Sequence, residues 1–130
     1  MNQKGFATLE VILMVVVIGI LATIAVPRFT DITNKASIAK IKTDLSTLDS
    51  ALSVYYMENG SYPTEEDISA LKDYVRDVDK LKPPTGEFTL NDGSTTLTVS
   101  SSTKYTIGVP TGSSSTDKRA LLGGHVVGDF

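Results

Sequence analysis

The sequence has no cysteine, no tryptophan and a single histidine. Without cysteine there is neither a disulfide staple nor a thiolate metal site. The histidine, His125, has no nucleophile or metal partner near it in sequence, so it reads as a surface or edge residue. A basic excess is also missing. The net charge of -3 leaves no electrostatic footprint for nucleic acid. No phosphate loop, nucleophile elbow or zinc motif occurs, which excludes the common catalytic constellations and points to a chain that is not an enzyme and takes no cofactor. Few aromatics, at 7% of 130 residues, imply a modest core, enough for one small domain beside any membrane helix.

What is present begins at the N-terminus, with Gly5-Phe6-Ala7-Thr8-Leu9-Glu10 and the apolar run behind it. From Val11 to Ala22 no side chain is polar, and Thr23 is the only interruption before Pro27. Counted from Phe6, roughly twenty residues can cross a bilayer as one helix. A cleaved secretory signal has a shorter apolar core followed by a small-residue cleavage site, and neither feature is found here. A plain anchor is opposed by Glu10, because a carboxylate at such depth costs about 2.5 kcal/mol or more unless it is partnered. Lys4 lies on one side of the run and Arg28 and Lys35 on the other, so loop charge does not set the orientation.

These residues resemble the N-terminus of type IV prepilins, a family that takes in the pseudopilins of type II secretion and competence systems. The shared pattern is a short basic leader ending in glycine, then phenylalanine, a glutamate five residues into the mature chain, and an unbroken apolar helix. The resemblance implies a leader over residues 1–5, cleavage by a prepilin peptidase between Gly5 and Phe6, and N-methylation of Phe6. It further implies that Glu10 compensates the Phe6 amine of a neighbouring subunit in a homopolymeric helical filament. Gly19 and Pro27 fall where family members carry helix-loosening residues. Many pilins of diderm bacteria close the C-terminal region with a disulfide. This chain cannot, so its tail must be held by strand pairing or by neighbours. Some pseudopilins bind calcium, and Glu87, Asp92, Asp117 and Asp129 could gather around one, although no EF-hand spacing supports it; no metal site is assigned.

Past Pro27 the pattern becomes amphipathic. Ile38, Ile41, Leu45, Leu48, Leu52 and Tyr55 recur three and four apart, one apolar stripe on a helix, with Lys35, Lys42, Asp49 and Ser53 on other faces. Asn59-Gly60 is its stop signal. A bend or a full break at Pro27 is expected, since proline removes a helical hydrogen bond and crowds the carbonyl of Thr23. Asn59-Gly60-Ser61-Tyr62-Pro63-Thr64 reads as a turn and looks like the segment that follows the long helix in pilins and pseudopilins; its first three residues also match a glycosylation sequon. Thr64 can cap a second helix carrying Ile68, Leu71, Val75 and Val78, which ends before Pro83-Pro84. Phe88, Leu90, Leu97 and Val99 alternate with polar residues around Asp92-Gly93, a hairpin that sets Phe88 opposite Leu97 and Leu90 opposite Thr95. Tyr105, Ile107 and Val109 supply a third strand, 110–117 an exposed loop, and His125-Val126-Val127 a candidate edge strand.

The expected fold is therefore α+β, the pilin fold. A long N-terminal α-helix, transmembrane in its first half and amphipathic in its second, packs on a small antiparallel β-sheet. The expected divisions are a leader at 1–5, a membrane and assembly helix at 6–27 and a globular domain at 28–130. The resemblance implies a single-pass inner or cytoplasmic membrane protein that leaves the bilayer through a membrane assembly machinery. It would then form an extracellular pilus filament on a bacterial surface, serving adhesion, motility or DNA uptake. The alternative is a pseudopilin of a type II secretion or competence system. Absence of the D-P-W-G-like segment that major pseudopilins typically carry near their final strands inclines the reading toward a pilus subunit.

Overall fold

A computed structural model describes residues 3–130, with the side chains of 26–30 outside the description. Two compact units divide the chain, residues 1–35 and 36–130. The first helix, α1, runs from Gln3 to Asn59. α1 continues through Pro27, so the full break expected there is not found. Asn59 ends α1 as anticipated: Gly60 takes φ +70°, the left-handed region open to a residue without Cβ, and its N–H donates to the Tyr56 carbonyl at 2.8 Å.

In the unit 36–130 the stripe on α1 is the floor of the core. Ile41, Leu45 and Leu48 are fully buried and Leu52 nearly so, with Ile38 and Tyr55 packed at its ends. Two antiparallel hairpins supply the roof. Strands β1 (Gly86–Thr89) and β2 (Thr96–Val99) pair with Phe88 opposite Leu97, the register read from the sequence. The Leu90 N–H donates to Thr95 at 2.9 Å, so the loop holds four residues, and Asp92 fastens it by accepting from the backbone N–H groups of Ser94 and Thr95. Phe88, Leu90 and Val99 all turn inward.

Three expectations need correction. Strand β3 (Tyr105–Gly108) does not extend the first hairpin; it pairs with β4 (Arg119–Leu122) in a separate two-stranded sheet. That strand, not His125-Val126-Val127, is the pairing segment of the tail. His125 makes only a bridge to Leu122, and Val127–Asp129 form a single 3-10 turn. The second helix is also absent. Its place is taken by 3-10 turns at Ile68–Leu71 and Val78–Lys80. Asp67, rather than Thr64, caps the first by accepting from the Ser69 N–H at 2.8 Å. Asp77, at φ +54°, reverses the chain before the second. Ile68 and Leu71 still reach the core from the first turn and Val78 from the second.

The tail is held without a disulfide, through strand pairing and polar anchors. Asp49 on α1 accepts from the Ala120 N–H at 2.7 Å and from two nitrogens of Arg119 at 2.7 and 3.1 Å. One turn and a half earlier, Asp44 accepts from the buried Tyr105 hydroxyl at 2.7 Å and pairs with Lys40. Burial, and then that carboxylate, push the Tyr105 phenol far above its ordinary pKa. Asn91 donates its amide to the carbonyls of Gly128 and Phe130, seating the Phe130 ring in the core.

Candidate functional site

The residues singled out for assembly lie on the first unit of α1. Every large apolar side chain from Phe6 to Ile24 is exposed, Phe6 at 61% and Ile18 at 64%. A soluble helix hides at least one apolar stripe. This one hides none, and over Gln3–Ala25 it is long and apolar enough to cross a membrane. Its two hydroxyls are already spent: Thr8 donates to the Lys4 carbonyl at 2.9 Å and Thr23 to that of Ile20 at 2.7 Å. They therefore bring no unpaired donor into lipid.

Glu10 is the exception on this surface. It is exposed among apolar neighbours and has no hydrogen bond or ion pair among the described residues. Phe6 lies one turn before it, on the same helical face. A shallow apolar depression between Leu13, Met14, Val17 and Ile18 follows. At Gly5 and Gly19 an added Cβ would meet nothing within 4 Å, so packing within the chain does not require glycine at either place. Any requirement there is imposed from outside the chain. The side chain of Pro27 is outside the description.

His125, Asp129 and Asp92 are occupied locally. His125 faces Asp129 at 3.4 Å, and Asp129 also accepts from the Val126 N–H. Asp92 is held down to about pH 2 by the hydroxyl and backbone N–H of Thr95 and the N–H of Ser94. Glu87, Asp92, Asp117 and Asp129 are not gathered: among the described residues no group of three or more histidine or acidic side chains could hold a metal. Sequence reasoning missed the anchors Asp44 and Asp49. Their only signal is that they flank the apolar stripe of α1 five residues apart.

Comparison with known proteins places these features. The family described as Type II secretion system (T2SS), protein G matches residues 28–91, which runs from the end of the apolar segment through β1 to Asn91. Proteins named type II secretion system core protein G are similar to this chain. That of Klebsiella michiganensis is 40% identical over 65 residues, 50% of this chain and 46% of that protein. That of Vibrio cholerae is 42% identical over 65 residues, 50% of this chain and 44% of its own length. That of Pseudomonas aeruginosa is 33% identical over 86 residues, 65% and 54% of the two chains. The chain thus spans about half the length of the curated relatives it matches. No solved structure matches it. These relatives carry the secretion alternative, not the pilus reading that the missing D-P-W-G-like segment had favoured. That segment belongs near the final strands, and the family match ends at residue 91, before β2 begins.

Proposed function

Since this chain belongs to the type IV pilin-like family, pseudopilins included, we propose that it is a pseudopilin: the structural subunit of a homopolymeric filament within a type II secretion or related machinery. The observation that carries the reading is the unhidden apolar surface of α1 up to Ile24, joined in one chain to the segment 28–91 that matches the secretion family. The surface needs an apolar environment. Before assembly the bilayer provides it, and the chain sits as a single-pass membrane protein. In the filament, neighbouring α1 helices replace the lipid.

Glu10 gives this exchange a direction. In lipid its unpartnered carboxylate costs about 2.5 kcal/mol or more. Cleavage between Gly5 and Phe6 by a prepilin peptidase creates an ammonium at Phe6, which methylation leaves charged. The Glu10 carboxylate of one subunit then meets the Phe6 ammonium of the next inside an apolar bundle, where the pair is weakly screened. Helix packing and polar pairing, rather than the hydrophobic effect, select the neighbour. Gly19 and Pro27 supply the places where the helix can adjust as lipid is exchanged for protein.

The test is Glu10→Ala in a host that assembles the chain. Membrane insertion is expected to persist, because the change removes a costly charge, while recovery in filaments falls to background. Wild-type filament yield in that variant would refute the pairing mechanism. A pilus-like outcome, with abundant long fibres that mediate adhesion or motility, would return the chain to the pilus branch of the family.

A further inference from the structure

Between α1, the turn that follows it and the start of β4, the unit 36–130 leaves an open cavity of about 460 Å³. That volume falls among small-molecule sites, which run from about 300 to 1,000 Å³. Its wall on α1 is the row Ser46, Asp49, Ser50 and Ser53, three and four residues apart and so on one face. Tyr62, Lys118 and Arg119 stand around it, and Leu52 and Val127 supply apolar lining.

The polar groups here are held in place yet keep spare valences. Asp49 accepts three bonds, from Ala120 and Arg119, of the roughly four a carboxylate can take. Arg119 spends two nitrogens there and keeps its remaining N–H groups. Lys118 is half-buried, donates to the Pro63 carbonyl at 2.6 Å and has no ion pair among the described residues. Ser50 and Ser53 give their protons to the Ser46 and Asp49 carbonyls, each at 2.9 Å, so toward the cavity their oxygens only accept. The Tyr62 ring is half-buried and backed by Tyr56, with 4.6 Å between centroids. It is an aromatic face already fixed, with little freedom to lose on binding.

These valences select the ligand. A free anion would meet Lys118, but also the Asp49 carboxylate and two serine oxygens with no proton to offer. A cation would meet Lys118 and Arg119. A neutral polyhydroxylated ligand satisfies both sides, because each of its hydroxyls can donate to one and accept from the other. A sugar adds an apolar face of C–H groups, whose partial positive charge suits the negative face of an aromatic ring. We propose that this cavity binds a neutral sugar, one unit of a glycan. Its ring face lies on Tyr62, and its hydroxyls bridge Asp49, Ser50 and Ser53 to Lys118 and Arg119. The site lies wholly within the unit 36–130 and does not depend on the filament reading.

The experiment titrates the full chain, in micelles of the sugar-free detergent lauryl dimethylamine oxide, with N,N′-diacetylchitobiose, with cellobiose and with inorganic phosphate. Saturation-transfer NMR follows the sugars. At least one disaccharide is expected to saturate with a Kd of about 1 mM or tighter, and phosphate is expected not to displace it. Ser53→Phe fills the cavity from an exposed position whose hydroxyl bonds only its own helix. It should abolish sugar binding and leave thermal unfolding unchanged. Tyr62→Ala should weaken binding roughly tenfold or more, and Tyr62→Phe, which keeps the ring, by no more than about threefold. Phosphate binding in place of sugar, no saturation by either disaccharide, or undiminished sugar binding in Ser53→Phe would overturn the proposal.

Discussion

The start of β4 is tied to α1 by one carboxylate, and the structure says which of its contacts matters. Asp49 makes two kinds of bond across to β4. One oxygen accepts from the N–H of Ala120, a residue with no exposed surface; the other accepts from Arg119, whose side chain is 46% exposed. Losing the first leaves a buried amide without an acceptor, and a hydrogen bond to a charged partner contributes about 1.5–3 kcal/mol. Losing the second breaks an ion pair that water screens, worth about 0–1 kcal/mol. Asp49→Ala should therefore cost about 2–4 kcal/mol, most of it from Ala120. Asp49→Asn retains an acceptor for Ala120 and should cost about 1 kcal/mol, as should Arg119→Met. For a domain of this size each kcal/mol moves the melting temperature by about 4–8 °C. The assay is thermal unfolding of the full chain in detergent micelles, followed by near-ultraviolet circular dichroism of its tyrosines. The expected drop is about 8–32 °C for Asp49→Ala and about 4–8 °C for the other two. If Arg119→Met were as damaging as Asp49→Ala, the ion pair rather than the amide would hold β4, and the reasoning would be wrong.

Other consequences are as specific. The depressed pKa of Asp92 means that its carboxylate favours the folded state above the unfolded pKa near 3.8, and that this contribution disappears as pH falls through about 2. Asp92→Asn should accordingly lower stability at neutral pH and flatten its dependence between about pH 4 and 2, which acid unfolding curves would show. Gly124 has φ +87°, and a Cβ there would come within 2.4 Å of the Thr111 hydroxyl oxygen. Gly124→Ala should cost about 1–3 kcal/mol by thermal unfolding. Adding Thr111→Ala should recover the steric part and leave the backbone part.

Legibility in the sequence followed the periodicity. The stripe from Ile38 to Tyr55 repeats often enough on one helix to fix the face that carries the core, and the structure buries it. The first hairpin was readable because alternation and the Asp92-Gly93 turn demanded the same register. The segment with Ile68, Leu71, Val75 and Val78 shows the limit of that argument. Spacings of three and four suit an α-helix, yet Asp67 and Asp77 punctuate the segment into two separate turns that deliver the same side chains. Strand β4 gave no alternation at all, since Ala120, Leu121 and Leu122 are all buried, and a short apolar run does not declare its type. Asp49 read as a solvated helix position because its partners lie seventy residues onward, beyond the reach of any local pattern. At the N-terminus the legible signal was chemical, a lone carboxylate in an apolar run, and that carboxylate is unpaired among the described residues.

The most direct test of the account is the intact mass of this chain recovered from sheared filaments and from membranes of its native host. The account predicts a mass beginning at methylated Phe6 in both fractions. An uncut chain beginning at Met1, confined to membranes, would contradict it and leave an ordinary anchored domain.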